Sequence, residues 1–317
     1  MKSKIIDQVD PPENWLIAGA LVLAGGARVL YTTHLRAGNV IEVFGSVRRT
    51  LDVTAAVDHR QLKHHSLFVF GEGFGLCDWN NSKLLLWHQI DSDMVEFAIR
   101  QSPDSSIEVS PRYVGLASYD SVNERLVLGI NSNNGPAAVA RYLTALSLPM
   151  DSVARPGADP GIEWCDARPL DLQHYPKTSL NHQPGSEWLG ISALAVSDGT
   201  TYVHSKGGSL SRTKSGPEYE FSLLSALDDL GGAPRNLPVQ EGNSSFSSDK
   251  QYFIQRPRSR KKLVFYKLEN MSEAFDLSLK PEQNMANIDG KVMVGADING
   301  DQMCIYSLQH ANFCQLI

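Results

Sequence analysis

The chain has 317 residues, of which 42% are hydrophobic and 20% are charged. This composition is ordinary for a soluble globular protein, and the length fits two domains or one closed repeat fold. The formal net charge is −6 at pH 7, so the chain lacks the excess of cations that drives non-specific phosphate binding. We therefore expect no nucleic-acid partner.

The first apolar segment, residues 16–27, resembles the core of a signal peptide. The residues before it include Asp7, Asp10 and Glu13, whereas a secretory leader begins with positive charge. The segment is also too short to span a bilayer. We interpret it as a pair of buried strands in a cytoplasmic protein that has no membrane partner.

Four cysteines show neither a CxxC motif nor metal-ligand spacing: Cys77, Cys165, Cys304 and Cys314. Cys77 lies in a β-rich run and reads as a small apolar filler. Cys304 and Cys314 could face each other across adjacent strands, although a disulfide there is the less favoured interpretation. This usage fits a reducing cytoplasm, and we predict neither a metal site nor a cofactor.

Six β-rich clusters follow one another along the chain, over residues 15–57, 65–110, 113–150, 187–240, 243–280 and 284–317. Each holds three or four runs of β-branched, aromatic and leucine residues bounded by turn residues. A tight turn with an aspartate recurs in five clusters, at Asp78, Asp120, Asp198, Asp249 and Asp289. Hairpins repeated at intervals of roughly 40–50 residues predict a closed ring of small sheets, the β-propeller.

Residues 150–186 break this rhythm, because five prolines fall within them: Pro156, Pro160, Pro169, Pro176 and Pro184. A central strand would lose a hydrogen-bond donor at each proline. The segment is either a degenerate seventh blade, with residues 161–165 as a remaining strand, or a long insertion. We favour a single all-β propeller domain over residues 1–317, with six blades and an irregular insertion at 150–186.

One segment carries a resemblance to known propellers. Residues 244–254 read SSFSSDKQYFI, and a further strand, KLVFYKL, follows at residues 262–268. The pair resembles the first hairpin and third strand of WD-repeat and YVTN-type propellers. No repeat opens with Gly-His or ends with Trp-Asp, so the resemblance implies the fold alone and no specific family.

Three features invite a chemical interpretation. The glycine-rich segment 71–75 lacks the lysine and hydroxyl of a phosphate loop, which favours a bulge or a close backbone approach. Residues 297–301 are rich in oxygen ligands, but the glycine comes too early for a calcium loop, which favours a hairpin tip. His59, His64 and His65 lie in a polar connection where exposure is expected. No Gly-x-Ser-x-Gly motif is present, so catalytic residues stay unassigned.

The sharpest charge feature is a group of five cations within seven residues: Arg256, Arg258, Arg260, Lys261 and Lys262. The group joins two strong strands, so we expect a projecting, mostly exposed hairpin tip. Its arginines could dock an acidic protein through bidentate contacts. Alternatively, the charges are simply solvated and discourage aggregation through strand edges.

Two functional hypotheses follow. The favoured one is a non-enzymatic scaffold that presents its loop faces, and these five cations, to a protein partner. The alternative is a hydrolase or lactonase acting on a small sugar-derived or acyl substrate at the mouth of the axial channel. The oligomeric state is open.

Ring closure is the last expectation from the sequence. An unpaired terminal strand would leave an exposed edge. Residues 4–9 therefore form a candidate outer strand beside the last blade.

Overall fold

The β-rich clusters fold into small sheets in a computed structural model of the chain. It describes residues 3–34, 36–57, 65–78, 83–101, 114–132, 140–147, 162–164, 168–169, 187–209, 212–213, 216–217, 220–228, 230, 234–237, 239–240, 242–257, 262–278, 287–288, 291–292 and 294–317. Within these residues the one helical element is the 3-10 turn Ala24–Gly26. None of the helical structure described is long and apolar enough to cross a membrane. The all-β prediction is confirmed.

The first half of the chain begins with one separate strand, β1 (Ser3–Val9). Sheet I contains β2 (Leu16–Val22), β3 (Arg28–His34), β4 (Gly38–Phe44) and β5 (Arg48–Asp52). Sheet II contains β6 (His65–Phe70), β7 (Gly73–Asp78), β8 (Lys83–Trp87) and β9 (Val95–Gln101). Sheet III begins with β10 (Val114–Asp120), β11 (Arg125–Ser132) and β12 (Ala140–Ser147).

The proline-rich segment adds two short strands to existing sheets, β13 (Ile162–Trp164) and β14 (Arg168–Pro169). β13 pairs in parallel with β9, which gives sheet II a fifth strand. β14 pairs with the edge of β12 and completes sheet III. The described part of residues 150–186 therefore extends its neighbours rather than forming a seventh blade.

The second half of the chain supplies the remaining sheets. Sheet IV contains β15 (Glu187–Ser197), β16 (Thr200–Ser209), β19 (Glu220–Leu227) and β20 (Arg235–Leu237), and the ribbon of β17 (Arg212–Thr213) and β18 (Gly216–Pro217) interrupts it. Sheet V contains β21 (Gly242–Phe246), β22 (Tyr252–Pro257), β23 (Lys262–Lys267) and β24 (Glu273–Ser278). After the ribbon of β25 (Asn287–Ile288) and β26 (Lys291–Val292) come β27 (Val294–Asn299), β28 (Gln302–Ser307) and β29 (Ala311–Leu316) of sheet VI.

The first strand of the chain closes the ring. β1 pairs antiparallel with β29, from Ser3 opposite Leu316 to Val9 opposite Ala311. Sheet VI therefore has the order β27-β28-β29-β1 and is built from both ends of the described chain. The predicted closure through residues 4–9 is confirmed.

The predicted number of regular blades needs correction. Five sheets of the described chain have the four strands of a regular blade, rather than the six that we expected, and sheet II has five strands. The discrepancy arises because β13 adds a fifth strand to sheet II, whereas β14 supplies the fourth strand of sheet III. Neither the alternative of seven blades nor that of a wholly separate insertion fits this pairing.

The innermost strands of the six sheets, β2, β6, β10, β15, β21 and β27, surround a central cavity of about 240 Å³. Two bonds between sheets VI and I show that their inner strands, β27 and β2, run the same way: Ile17 N–H donates to the Leu308 carbonyl, and the side-chain amide of Asn299 donates to the Val22 carbonyl. We call the end where the inner strands begin the entry face, and the end where they stop the exit face.

The aspartate turns that revealed the repeat are not all equivalent. Asp120, Asp198 and Asp249 lie at the exit face, between the first and second strands of their sheets. Asp78 instead ends the second strand of sheet II, and Asp289 lies outside the described residues. Aspartate suits any tight turn because its side chain bonds the backbone two residues on, so turn composition alone does not identify a position within a blade.

The hydrophobic cores lie between neighbouring sheets. Their arrangement shows whether Cys304 and Cys314 can form a disulfide. Cys304 packs in the cluster between sheets VI and I, whereas Cys314 packs between sheets V and VI. The two thiols therefore lie on opposite faces of sheet VI, and neither they nor the buried Cys77 form a disulfide in the described part of the chain. Cys165 lies outside the described residues.

Candidate functional site

The glycine-rich segment serves packing rather than phosphate binding. A Cβ added at Gly73 would clash with the backbone carbonyl of Trp87, and one at Gly75 would clash with the Phe68 ring. These glycines therefore permit a close approach between β7 and its neighbours, as predicted. Residues 297–301 likewise form the predicted hairpin tip, with Gly300 at a φ of 59° between β27 and β28.

Serines of the inner strands connect adjacent sheets around the cavity. The Ser118 hydroxyl accepts the Val196 N–H over 3.0 Å and so joins sheets III and IV. The Ser245 hydroxyl donates to the Ala296 carbonyl over 3.4 Å and joins sheets V and VI. These hydroxyls satisfy backbone groups of the neighbouring sheet, which makes them part of the ring's framework.

His204 forms the centre of a third bridge, between sheets IV and V. Its Nδ1 lies 2.5 Å from the hydroxyls of Ser192 in sheet IV and Ser244 in sheet V. The ring is completely buried, and this burial, helped by the positive charge of Lys206, lowers its pKa to about 3. The imidazole is therefore neutral at ordinary pH.

The arrangement around His204 has the outline of a nucleophile and its base, because both serines line the cavity. A general base works best with a pKa near the operating pH, and the pKa of His204 lies far below it. Its Nε2 also lacks a hydrogen-bond partner among the described residues, whereas an orienting group there completes a catalytic triad. The geometry therefore suits His204 to joining sheets IV and V better than to acting as a catalytic base.

Asp297 links three sheets at the exit face. Its carboxylate accepts hydrogen bonds from the Val22 N–H of sheet I over 2.6 Å and from the Ser248 N–H, in the turn between β21 and β22 of sheet V, over 2.8 Å. The Ser248 hydroxyl donates a further bond over 2.5 Å. Complete burial raises the pKa of Asp297 to about 7, although these bonds act in the opposite direction.

Among the described residues that line the central cavity, Lys250 is the one cation. It lies in the turn between β21 and β22 at a φ of 58°. Its ammonium donates to the carbonyl of Tyr119, thereby joining sheets V and III. Burial lowers the pKa of Lys250, and the charges of Asp120 and Asp198 partly offset that effect.

The predicted partner-binding cations are only partly described. Arg256 is the penultimate residue of β22, and Lys262 is the first residue of β23. Both are partly buried, and Lys262 forms ion pairs with Asp276 and, over 3.9 Å, with Glu273. Predominant exposure was therefore the wrong expectation for these two.

The remaining predicted residues have mixed outcomes. Arg258, Arg260 and Lys261 lie outside the described residues, as do His59 and His64. His65 begins β6. Within the described part of the chain, no group of three or more His, Cys, Asp or Glu side chains is placed to hold a metal ion.

The sequence did not reveal a second cavity, of about 770 Å³, at the entry face between sheets VI and I. We call it the entry groove; it is lined by Pro11, Pro12, Glu13, Asn14, Trp15, Leu16, His34, Arg36 and Gln309. The sequence feature that could have indicated this groove is the pair Pro11-Pro12 followed by Trp15, between two predicted strands.

No protein-family profile and no curated protein matches the chain. Solved structures with a similar fold include the β-propeller domain of Cps50 (Swd1) from Myceliophteria thermophila, with 10% identity, complete coverage of both chains and a TM-score of 0.46. A chain of a mitotic checkpoint complex has 9% identity, 99% and 92% coverage and a TM-score of 0.46. A chain of a nidogen–laminin complex has 8% identity, 83% and 80% coverage and a TM-score of 0.47.

These identities and TM-scores carry no functional argument. The fold-level resemblance to WD-repeat propellers rests on the sheet topology of this chain, which is a ring of small sheets closed by its first strand. The class of protein is a β-propeller, and no named family follows.

Proposed function

We propose that this propeller is a non-enzymatic protein-binding scaffold whose basic segment, residues 256–262, contacts an acidic partner. The observation that carries the proposal is the rigid base beneath that segment. β22 and β23 pair from Tyr252 opposite Lys267 to Gln255 opposite Val264, and Phe253 is fully buried. The paired strands therefore hold both ends of the segment in place before a partner binds, as is common for recognition loops on rigid scaffolds.

The inner strands also support the proposal. Hydroxyls that would otherwise be available to a small substrate in the cavity, including those of Ser118, Ser245 and Ser248, bond the neighbouring sheet. Because these hydroxyls are used to join the sheets, the two faces of the ring are the surfaces that remain for binding a partner. Faces built from turns are where rigid β-scaffolds commonly carry recognition.

The test is the triple variant R258Q/R260Q/K261Q, which spares Arg256 and Lys262 because both are partly buried strand residues. The sequence predicts that these three side chains are exposed, and exposed charges contribute little to stability. We therefore expect the melting temperature of the variant to match that of the wild type. Quantitative cross-linked capture from cells should show partners lost, most strongly at low salt, where Coulomb attraction is least screened.

A matched control removes the same charge elsewhere. Lys4, Arg48 and Arg235 are exposed strand residues, and K4Q/R48Q/R235Q should retain partners. Loss of the same partners from both triple variants would reduce the effect to net charge and overturn the role of the basic segment, as would partner capture by R258Q/R260Q/K261Q with unaltered salt dependence.

The hydrolase or lactonase alternative has one specific observation in its favour, the contact of Ser192 and Ser244 with His204 beside the cavity. Its test is hydrolysis of p-nitrophenyl acetate and of small sugar lactones by the purified chain. Turnover that disappears in S192A/S244A, with an unchanged melting temperature, would replace the scaffold proposal by this one.

A further inference from the structure

The entry groove has rigid walls. Trp15 N–H donates to the Pro12 carbonyl over 3.0 Å, which closes a turn with Asn14 at a φ of 66°. The rings of Trp15 and His34 lie 5.6 Å apart at a tilt of 40°. Pro11 also lines the groove, so one wall presents the flat rings of Pro11, Trp15 and His34, and its Pro12–Trp15 turn is held by a backbone hydrogen bond.

The hydrogen bonds around His34 set its tautomer. Its Nδ1 accepts the N–H groups of Arg36 over 3.1 Å and of Ala37 over 2.8 Å. Since Nδ1 is the acceptor, the proton of the neutral ring lies on Nε2, which makes that atom a donor. His34 therefore contributes a fixed donor to a groove that it lines.

The other polar groups of the groove are also mainly donors. The side chains of Trp15 and Arg36 can only donate, and the amides of Asn14 and Gln309 can both donate and accept. Arg36 is exposed and forms no ion pair with any residue that the structure describes. Glu13 is the single carboxylate of the lining, so the groove is suited to a ligand rich in acceptors.

The position of the groove adds a charge argument. β2 begins at the entry face, and β22 ends and β23 begins at the same face, because both are paired antiparallel within sheet V. Arg36, which forms no ion pair with a described residue, therefore lies at the same end of the ring as the strand ends that flank the basic segment. An acidic partner would meet positive charge at both places.

We propose that the entry groove binds an acidic, proline-containing segment of the partner. A polyproline II segment has no internal hydrogen bonds, so its carbonyl oxygens are free to accept from Trp15 and His34. Its proline rings fit against the flat wall, and its carboxylate pairs with Arg36. This inference rests on the proposed scaffold function and assigns a face and a ligand chemistry to it.

The test uses the full chain and an array of short labelled peptides, each with one central proline and a net charge graded from strongly negative to strongly positive. Fluorescence anisotropy measures each affinity. We expect acidic peptides to bind best, R36Q to weaken them roughly tenfold, as loss of one charge-assisted contact does, and E13Q to strengthen them.

Two further variants separate the possible outcomes. W15F should weaken binding by removing the indole donor while it retains a flat ring, and its melting temperature checks the fold. R258Q/R260Q/K261Q should bind the short peptides as the wild type does. Equal binding to wild type and R36Q, a preference for basic peptides, or no binding across the array would overturn the groove proposal. Continued dependence of partner capture on residues 258, 260 and 261 would then leave the scaffold function standing.

Discussion

The carboxylate of Asp297 accepts the backbone N–H of Val22 at 2.6 Å, although 275 residues separate them in the chain. This bond joins the last sheet to the first at the exit face, where the two inner strands end. β1 closes the same pair of sheets along the outer edge by pairing with β29. The ring is therefore fastened at its centre and at its rim.

The buried, hydrogen-bonded carboxyl group of Asp297 makes the stability of the fold depend on pH. Its pKa rises from an ordinary value near 3.8 to about 7 in the folded chain, so the folded state binds more protons between these values. The contribution of this group to stability is then greatest at low pH and declines as pH rises from about 4 to about 7. Urea unfolding at a series of pH values should show that D297N removes this slope. D297N should also lose about 1–3 kcal/mol, because a buried donor loses its acceptor.

His204 should produce the opposite dependence. Its pKa falls from 6.5 to about 3, so the unfolded chain binds more protons below pH 6.5 and stability is lost as the pH falls toward 3. H204Q keeps a group that can bond the flanking serines and does not titrate. Its unfolding free energy should therefore fall less between pH 6.5 and pH 4. An unchanged slope in H204Q would contradict the buried, neutral state of this histidine.

Lys250 combines a bridging bond with a left-handed backbone. K250A and K250G both lose the bond to the Tyr119 carbonyl, but only alanine keeps a Cβ at a φ of 58°. K250G should therefore be more stable than K250A by up to about 1 kcal/mol, because glycine relieves the steric cost of this conformation. Thermal unfolding of the pair measures the difference. Greater stability of K250A would show that the turn is not strained.

Removing the closing strand should weaken the whole ring. Deletion of residues 1–12 leaves β29 with an unpaired edge and removes the ion pair of Arg28 with Asp7. We expect a lower melting temperature and a greater tendency to aggregate through the exposed edge. Deletion of Met1 and Lys2, which lie outside the described residues, is the control. A shortened chain that melts like the wild type would place closure elsewhere.

Glycines in strands should differ sharply in their tolerance of alanine. G73A forces a Cβ into the Trp87 carbonyl, which is backbone and cannot turn aside. At Gly129 the nearest atom to an added Cβ is a side-chain carbon of Ile191 at 3.4 Å. We expect G73A to lose several kcal/mol, about 3 or more, and G129A to stay close to the wild type. Similar chemical denaturation midpoints would contradict the close approach at Gly73.

The sequence predicted the propeller and its closure because strand periodicity and turn residues are local properties. It misjudged the number of regular blades because β13 and β14 are strands of two or three residues, and their identity depends on the edges of β9 and β12 that they join. The sequence also gave no indication of the serine bridges or of the Asp297 contact. Their partners lie in other sheets, and no spacing in the chain records them.

The pairing of β1 with β29 also orders events during synthesis. β1 is synthesised well before β29 and must wait for it, since Ser3 pairs with Leu316. During this interval β1 lacks its partner, and its Ile5 and Ile6, which are about half exposed even in the closed ring, face solvent or other proteins. Loop closure over such a separation is slow. A chain interrupted before β29 is made would leave the seven-residue strand β1 unpaired, so protection of β1 by a chaperone would matter most until β29 has been made.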